Sequence, residues 1–420
     1  MAKHDHGLGA ETLERILQVT RQLAAPFELQ EMLGQVVDAG IAVLSADRGS
    51  VFLYEQATDE LVGYVTTGME ALRIPAGKGI AGECARTREV VNVPDCYADP
   101  RFNPEVDRKT RYRTRCLLAV PLVGHDDSLV GVLQLLNKRN GTFGEEDERV
   151  AHALAAQCAV ALQRVRMTEE LLVKEKIQRE LAVAREVQMG FLPRRMPDLA
   201  GYDLAGTSIP ADETGGDTYD VVALGPDRVS LLLGDATGHG IGPALSATQV
   251  RAMLRIALRL GAGVAETLVN INDQLEQDLA SNRFVTAFLG TLEAQDHRVT
   301  YHSAGQAPLM HFHAAGDECE WLASTTLPLG LMAPMALKQA ATIDLAPGDI
   351  LGLITDGVFE CEDAEGRQFG EAGVKRLVRE HQMRPMAELR DLLVEAVKAH
   401  QGDAPQADDI TIVLVRRLPD

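Results

Sequence analysis

The sequence predicts an α+β protein with two domains joined by one long helix. Its 420 residues suffice for two domains with separate hydrophobic cores. Residues 146–192 contain no proline and carry apolar residues at steps of three or four, which is typical of a continuous helix. On both sides, short runs of alternating apolar residues predict strands. We therefore expect an N-terminal domain over residues 1–160, a helical linker over 161–192 and a C-terminal domain over 193–420.

The composition argues against several kinds of partner. Lys and Arg total 41 and Asp and Glu total 61, which gives a formal net charge of −20. A surface of this sign opposes binding to nucleic acid or to an anionic membrane. The six cysteines lack a C-x-x-C pair and predict free thiols in a reducing compartment. No apolar run is long enough to span a bilayer, and the N-terminus lacks a signal-peptide core. These features predict a cytoplasmic protein.

The N-terminal domain is predicted to alternate helices with antiparallel strands. Amphipathic helices are expected over residues 9–24 and 32–44, followed by a hairpin with strands at 49–54 and 61–65. The polar stretch 94–115 is too long for a simple connection, so it predicts a lid or a binding loop. Together with the segments Gly49-Ser-Val-Phe-Leu-Tyr54, Gly77-Lys-Gly-Ile-Ala-Gly82 and Val120-Pro-Leu-Val123, this pattern resembles a GAF sensory domain.

A second set of residues concerns the ligand that such a domain would bind. Five residues stand at the spacing of the signature found in GAF domains that bind cyclic nucleotides: Asn137, Lys138, Phe143, Asp147 and Glu148. The resemblance implies a small-molecule ligand, with cyclic AMP or cyclic GMP as candidates. The alternative is structural: Lys138 and Asp147 pair to pin the end of a strand to the next helix, while the ligand contacts other residues.

The long helix carries an apolar seam formed by Val150, Leu154, Cys158, Ala161, Val165, Leu172, Ile177, Leu181 and Ala184. The step of five residues from Leu172 to Ile177 changes the phase of this seam. Because a single helix cannot bury such a seam, the pattern predicts a parallel coiled coil in a homodimer. Packing of the helix against the chain's own domains is the alternative.

The C-terminal domain contains four aspartate segments at the ends of predicted strands. They are Gly215-Gly-Asp217, Gly234-Asp-Ala-Thr-Gly-His-Gly240, Thr355-Asp-Gly357 and Ala407-Asp-Asp-Ile-Thr411. A single Asp-Gly pair is usually a turn. Four carboxylates on converging strand ends, however, repel one another unless divalent cations hold them together. Carboxylates are hard oxygen ligands that suit Mg²⁺ or Mn²⁺.

In this order, the segments resemble the PPM metal-dependent serine/threonine phosphatases, and among them the SpoIIE/RsbU branch, from about residue 184 to the C-terminus. The resemblance implies an α/β sandwich with two Mn²⁺ or Mg²⁺ ions. It implies catalytic roles for Asp217, Asp235, Asp356 and Asp408, and a ligand set of these four with the Ala236 carbonyl and Asp409. In this set Asp235 bridges both ions and Asp409 orients the other ligands. The implied substrate is a protein phosphorylated on serine or threonine, in relatives an anti-sigma-factor antagonist.

Some residues depart from this pattern or fall outside it. Thr218 stands where many relatives have tyrosine, and His239 lies too far beyond its aspartate to be assigned as the general acid. His311 and His313 lie two residues apart on a predicted strand, but no other ligand is near in sequence. They therefore predict an exposed strand face rather than a metal site.

Two classes of function stay open. One is the metal-dependent phosphatase, and the other is a ligand-binding GAF regulator whose phosphatase fold is dormant or weakly active. The presence of all four aspartates favours the enzyme.

Overall fold

The computed structural model describes residues 14, 17, 18, 21, 28–66, 73–238, 240–279 and 283–419. The chain divides into two compact units, Met1–Lys176 and Ile177–Asp420. Most of the helix predicted over residues 9–24 lies outside the described residues. Every helix in the described part of the chain is too short or too polar to cross a lipid bilayer.

The first unit is built on one six-stranded antiparallel sheet in the order β3-β2-β1-β6-β5-β4. Its strands are β1 (Ala46–Glu55), β2 (Glu60–Thr66), β3 (Arg73–Pro75), β4 (Val91–Val93), β5 (Leu117–Val123) and β6 (Leu129–Lys138). The helices are α1 (Leu29–Leu44), α2 (Gly79–Thr87) and α3 (Glu105–Thr110), and a 3₁₀ turn covers Cys96–Ala98.

The alternation of side chains along the strands gives this sheet two buried faces. One face, with Val51, Leu118 and Leu133, packs against α1 and the beginning of the long helix. The opposite face, with Phe52 and Leu117, packs against α2. The strand patterns therefore predicted an antiparallel sheet covered by helices, as the structure has it.

The long helix, α4, runs without interruption over Glu145–Phe191. The five predicted seam residues from Val150 to Val165 are buried in the core of the first unit. For this half of the seam the predicted intermolecular coiled coil is wrong, because these side chains already pack on the chain's own sheet. Farther along, Leu172 and Ile177 are 60% and 52% exposed. Within the seam, the exposed apolar side chains therefore lie in this later part of the helix.

The second unit is a sandwich of two five-stranded antiparallel sheets, as predicted. One sheet has the order β14-β11-β10-β9-β8 and the other β13-β12-β15-β16-β7. The strands are β7 (Tyr202–Ile209), β8 (Asp217–Ala223), β9 (Arg228–Ala236), β10 (Val285–Glu293), β11 (Arg298–Ala304), β12 (Leu309–His313), β13 (Glu318–Leu322), β14 (Ala341–Asp344), β15 (Ile350–Ile354) and β16 (Ile410–Arg417).

Helices cover the outer faces of this sandwich. They are α5 (Ile241–Arg259), α6 (Val264–Asp278), α7 (Asp356–Phe359), α8 (Gly370–His381) and α9 (Met386–Gln401). The two sheets share a core that includes Leu231, Phe288 and Val413. A second core joins the first sheet to α5 and α6, and a third joins the other sheet to α8 and α9. The strand ends at one edge of the shared core carry the aspartate segments.

Candidate functional site

The predicted aspartates come together from both sheets. Asp217 opens β8 and is the register partner of Asp235, near the end of β9. On the other sheet, Asp356 follows β15 and Asp408 precedes the neighbouring strand β16. The Thr355 hydroxyl donates a hydrogen bond of 2.9 Å to Asp217 Oδ2 and so connects the two sheets at this point. The four carboxylates therefore converge at one end of the sandwich.

Two glycines of the aspartate segments allow the backbone segments to approach closely. A Cβ atom on Gly216 would lie 2.5 Å from the carbonyl oxygen of Ala236. A Cβ atom on Gly357 would lie 2.1 Å from the carbonyl oxygen of Asp409. Both distances are too short for any side chain, so packing requires glycine at these two positions.

Asp409 holds the loop that precedes β8. Its Oδ1 accepts a hydrogen bond of 2.8 Å from the Ala211 backbone NH, and its Oδ2 accepts one of 3.1 Å from the Asp217 NH. The NH of Asp409 donates to Asp408 Oδ1 over 2.8 Å. A carboxylate with both oxygens engaged in this way fixes the positions of the backbone segments that it contacts.

Burial and mutual repulsion disfavour the ionised form of these carboxylates. Burial raises the pKa of Asp217 well above its usual value, and repulsion from Asp235 and Asp409 adds to the effect. Burial raises the pKa of Asp235 to about 7, with further repulsion from Asp356 and Asp408. The pKa of Asp356 is raised by burial first and by Asp408 second. Convergent, buried negative charge of this kind is what a divalent cation stabilises.

The end of α4 contacts the same loop. Gln188 Nε2 donates a hydrogen bond of 2.6 Å to the Gly215 carbonyl, and the Gly215 NH donates one of 3.2 Å to Gln188 Oε1. One turn earlier, Arg185 Nη1 donates to the Asp212 carbonyl over 2.9 Å. These helix residues were not among the predicted site residues. Short-range spacing could not reveal the contact of Gln188, because its partner Gly215 is 27 positions away in the chain.

The first unit contains a cavity of about 630 Å³. Four of its lining residues are cationic, namely Arg48, Arg73, Lys78 and Arg101, and three are aromatic, namely Phe52, Phe102 and Tyr112. The guanidinium of Arg48 lies 4.0 Å from the centre of the Tyr112 ring. Residues 100–104 also line the cavity, so the polar stretch 94–115 forms part of the cavity wall.

The five predicted cofactor-binding residues do not line this cavity. Lys138 forms an ion pair with Asp147, the residue whose Oδ2 also accepts the Gly144 NH. Glu148 accepts a hydrogen bond of 2.7 Å from Asn92, which also donates to the Phe143 carbonyl. The signature therefore joins β6 and β4 to the start of α4, as the structural interpretation expects.

Asn137 links this signature to the cavity wall. Its Nδ2 donates a hydrogen bond of 2.8 Å to the Tyr112 hydroxyl and one of 2.9 Å to the Arg113 carbonyl. Its Oδ1 accepts one of 2.6 Å from the Arg115 NH. Asn137 is 4% exposed and has a φ of 52°, a conformation that asparagine tolerates better than most residues. Its side chain thus positions Tyr112 rather than contacting a ligand directly.

Two histidine predictions have different outcomes. His239 lies outside the described residues. The expectation of an exposed strand face is wrong for His311, which is 4% exposed. A carboxylate distant in sequence, Asp349, lies 3.2 Å from its Nε2 atom. Short-range spacing could not reveal this neighbour.

Comparisons with known proteins agree with the two units. Residues 225–418 match the family model described as Stage II sporulation protein E (SpoIIE), and residues 28–162 match the GAF domain model. The phosphoserine phosphatase RsbU of Bacillus subtilis is 26% identical over 245 residues, which cover 58% of this chain and 72% of RsbU. The SiaA-PP2C domain of Pseudomonas aeruginosa is 25% identical with a TM-score of 0.52, over 58% of this chain and 98% of that chain.

A further relative has a different activity. The dual 3',5'-cyclic-AMP and -GMP phosphodiesterase 11 of Drosophila melanogaster is 31% identical over 176 residues, but the match covers 37% of this chain and only 12% of that protein. The phosphodiesterase activity therefore does not transfer to this chain. The matched family models show that the chain carries a GAF domain over residues 28–162 and a SpoIIE-type phosphatase domain over residues 225–418. Together with the RsbU and SiaA-PP2C relatives, they support a metal-dependent serine/threonine protein phosphatase.

Proposed function

We propose that the chain removes phosphate from phosphoserine or phosphothreonine of a partner protein at the cluster of aspartates, with two Mn²⁺ or Mg²⁺ ions bound there. The observation that carries this proposal is the convergence of carboxylates from both sheets, with raised pKa values for Asp217, Asp235 and Asp356. An all-oxygen set of hard ligands suits these two cations better than zinc or copper.

Each residue of the cluster has a proposed role. Asp235 would bind both ions, the Ala236 carbonyl and Asp217 would bind one of them, and Asp356 and Asp408 would bind the other. When bound, the ions supply positive charge to the phosphate oxygens and lower the pKa of a bound water.

The surrounding residues keep these ligands in position. Asp409 holds the loop of Asp217 through its two backbone hydrogen bonds. The hydroxyl of Thr355 orients the Asp217 carboxylate. The absence of a side chain on Gly216 leaves the Ala236 carbonyl oxygen free to point into the cluster.

The proposed substrate is a phosphorylated anti-sigma-factor antagonist. RsbU, whose match covers 58% of this chain, is a phosphoserine phosphatase. The resemblance of the four aspartate segments to the SpoIIE/RsbU branch supports the same class of phosphoprotein here.

The GAF cavity is proposed to bind an anionic small molecule that controls the phosphatase, with cyclic AMP or cyclic GMP as candidates. Four cationic side chains in the cavity wall favour a phosphate-bearing ligand, and Tyr112, Phe52 and Phe102 offer surfaces for a planar base. A cyclic nucleotide that binds the folded domain would raise its melting temperature at saturating concentration. Binding of neither nucleotide at millimolar concentration would direct the search to another anion.

We further propose that two copies associate through the exposed part of α4 around Leu172 and Ile177. Paired helices would transmit a change in the GAF domain to the turn of α4 that carries Gln188. This turn holds the loop of Asp217 through Gly215. A helix pair with two registers of similar free energy is the kind of element that a ligand can switch.

The decisive experiment measures Mn²⁺-dependent phosphate release from a phosphoserine protein by the full chain. Asp356→Asn should abolish turnover at unchanged far-UV circular dichroism, whereas the exposed Asp403→Asn should retain it. Equal activity of the two variants would refute the assignment of the site. If the unmodified chain shows no Mn²⁺- or Mg²⁺-dependent turnover, with or without cyclic nucleotide, the result would favour a dormant phosphatase fold.

A further inference from the structure

A second group of metal-binding side chains lies in the phosphatase domain, away from the aspartate cluster. It consists of His311 and His313 on β12 and Asp349, the residue that precedes β15. One nitrogen or oxygen atom from each of the three residues lies within 4.8 Å of the others. Asp349 and Asp356 stand at opposite ends of β15, which separates the two groups by roughly 20 Å at about 3.3 Å per strand residue.

The donor atoms are spaced as a four-coordinate cation requires. His311 Nε2 lies 3.2 Å from Asp349 Oδ2, and His313 Nδ1 lies 3.8 Å from the same oxygen. Bonds of about 2.0–2.1 Å to a tetrahedral cation place neighbouring donors about 3.3 Å apart. Small side-chain rotations would therefore bring all three atoms to one ion.

A fourth residue lies behind the imidazoles. Glu320 on β13 is the register partner of His311. Its Oε2 lies 3.2 Å from His313 Nε2 and 4.0 Å from His311 Nδ1, which are the ring nitrogens that do not face Asp349. A carboxylate that accepts the outer N–H of an imidazole is the usual support of a metal-binding histidine, because it fixes the tautomer and the ring orientation.

Burial and hydrogen bonding hold the inner carboxylate in place. Asp349 is 2% exposed, its Oδ1 accepts the Ala314 NH over 2.9 Å and its Oδ2 accepts the Ala346 NH over 3.0 Å.

We propose that His311, His313 and Asp349 bind one divalent cation of the zinc type, with Glu320 as the supporting carboxylate. Two imidazoles and one carboxylate suit zinc rather than magnesium, so the site differs in chemistry from the aspartate cluster. The cation joins the hairpin of β12 and β13 to the turn before β15. Three protein ligands leave one coordination position for water or another ligand.

Cobalt titration of the full chain tests this proposal. The protein is stripped with a chelator and returned to millimolar Mg²⁺, so that the aspartate cluster is occupied by a hard cation. Co²⁺ is then added while the visible absorption of four-coordinate cobalt is followed, and Zn²⁺ is added to displace it. His313→Gln removes one ligand at a partly exposed position, and His381→Gln on α8 is the matched control.

The expected result is one Co²⁺ per chain in the unmodified protein and in His381→Gln, with loss of the absorption band in His313→Gln. Glu320→Gln should bind Co²⁺ about 10–100-fold more weakly, as expected for removal of a supporting carboxylate. Zn²⁺ should raise the melting temperature of the control but not of His313→Gln. The proposal is wrong if His313→Gln binds Co²⁺ as well as His381→Gln does. It is also wrong if no variant shows the absorption of four-coordinate cobalt. In either case His311 and Asp349 form only a structural hydrogen bond. Circular dichroism verifies that each variant is folded.

Discussion

Replacing Asp235 by asparagine should move activity and stability in opposite directions. The amide keeps the shape of the side chain on β9 but removes its charge. Burial and neighbouring carboxylates raise the pKa of Asp235 from 3.8 to about 7. A shift of this size corresponds to a cost of about 4 kcal/mol for holding the ionised form in the metal-free protein. Structural relaxation and the high effective dielectric constant of proteins reduce the expected cost to about 1–3 kcal/mol.

The sign of the pH dependence follows from the two pKa values of Asp235. In the unfolded chain the group titrates near 3.9, and in the folded chain its pKa is about 7. The folded state therefore binds more protons between these values, and the metal-free protein loses stability as the pH rises from about 4 to about 7. Above pH 7 the Asp235 side chain is ionised in the folded protein, and the loss of stability is complete. Asparagine does not ionise, so Asp235→Asn does not lose this stability at any pH.

The assay compares melting temperatures with phosphatase activity. Without metal at pH 8, Asp235→Asn should melt above the unmodified chain, and the difference should shrink as the pH is lowered toward 5. With Mn²⁺, the unmodified chain should gain stability while the variant gains less, since a bridging ligand is missing. Activity should fall by orders of magnitude.

Asp403→Asn, at an exposed position, controls for the loss of one negative charge. The reasoning fails if metal-free Asp235→Asn melts below this control at pH 8, or if it retains Mn²⁺-dependent turnover.

Three further changes test the supports of the two sites. Gly216→Ala should lower phosphatase activity by orders of magnitude, because there is no room for the added Cβ atom. Gly34→Ala should leave activity unchanged, because no atom lies within 4 Å of the Cβ atom added there. Gln188→Ala should lower phosphatase activity about fivefold or more, because the helix loses its contacts with the loop. Gln178 is exposed on the same helix, so Gln178→Ala should have no effect in the same phosphate-release assay. Asn137→Ala should destabilise the GAF domain by about 2–4 kcal/mol, measured by urea unfolding, because several buried backbone groups lose their partner.

The aspartate cluster could be predicted because its information is local. Asp235 and Asp356 stand at the ends of apolar runs, whereas Asp217 and Asp408 stand just before apolar runs. The order of these four segments resembles the SpoIIE/RsbU branch, so the site could be proposed before any contact is known. The packing of Gly357 against the Asp409 carbonyl could not be predicted in this way. It depends on the pairing of β15 with β16, two strands that are far apart in the chain.

Periodicity predicted the length of α4 but not what its apolar residues contact. The seam residues from Val150 to Val165 are buried, whereas Leu172 and Ile177, which lie on the two sides of the phase change, are exposed. A helical repeat of apolar residues predicts that one face of the helix is buried. It does not show whether that face packs against the chain's own sheet or against another molecule. The same limit applies to His311, whose partner Asp349 is 38 positions away.

The energy available at the end of α4 matches what regulation of the phosphatase requires. Gln188 makes two hydrogen bonds with the backbone of Gly215, and Arg185 makes one with the carbonyl of Asp212. At a net value of about 0.5–1.5 kcal/mol each, the loss of all three would cost about 1.5–4.5 kcal/mol, which overlaps the range of about 1–3 kcal/mol that typically couples two sites. The first half of α4 is fixed in the GAF core by residues such as Leu154. In the proposed regulation, a rotation of the later, exposed part of the helix would act on the loop of Asp217 through these contacts.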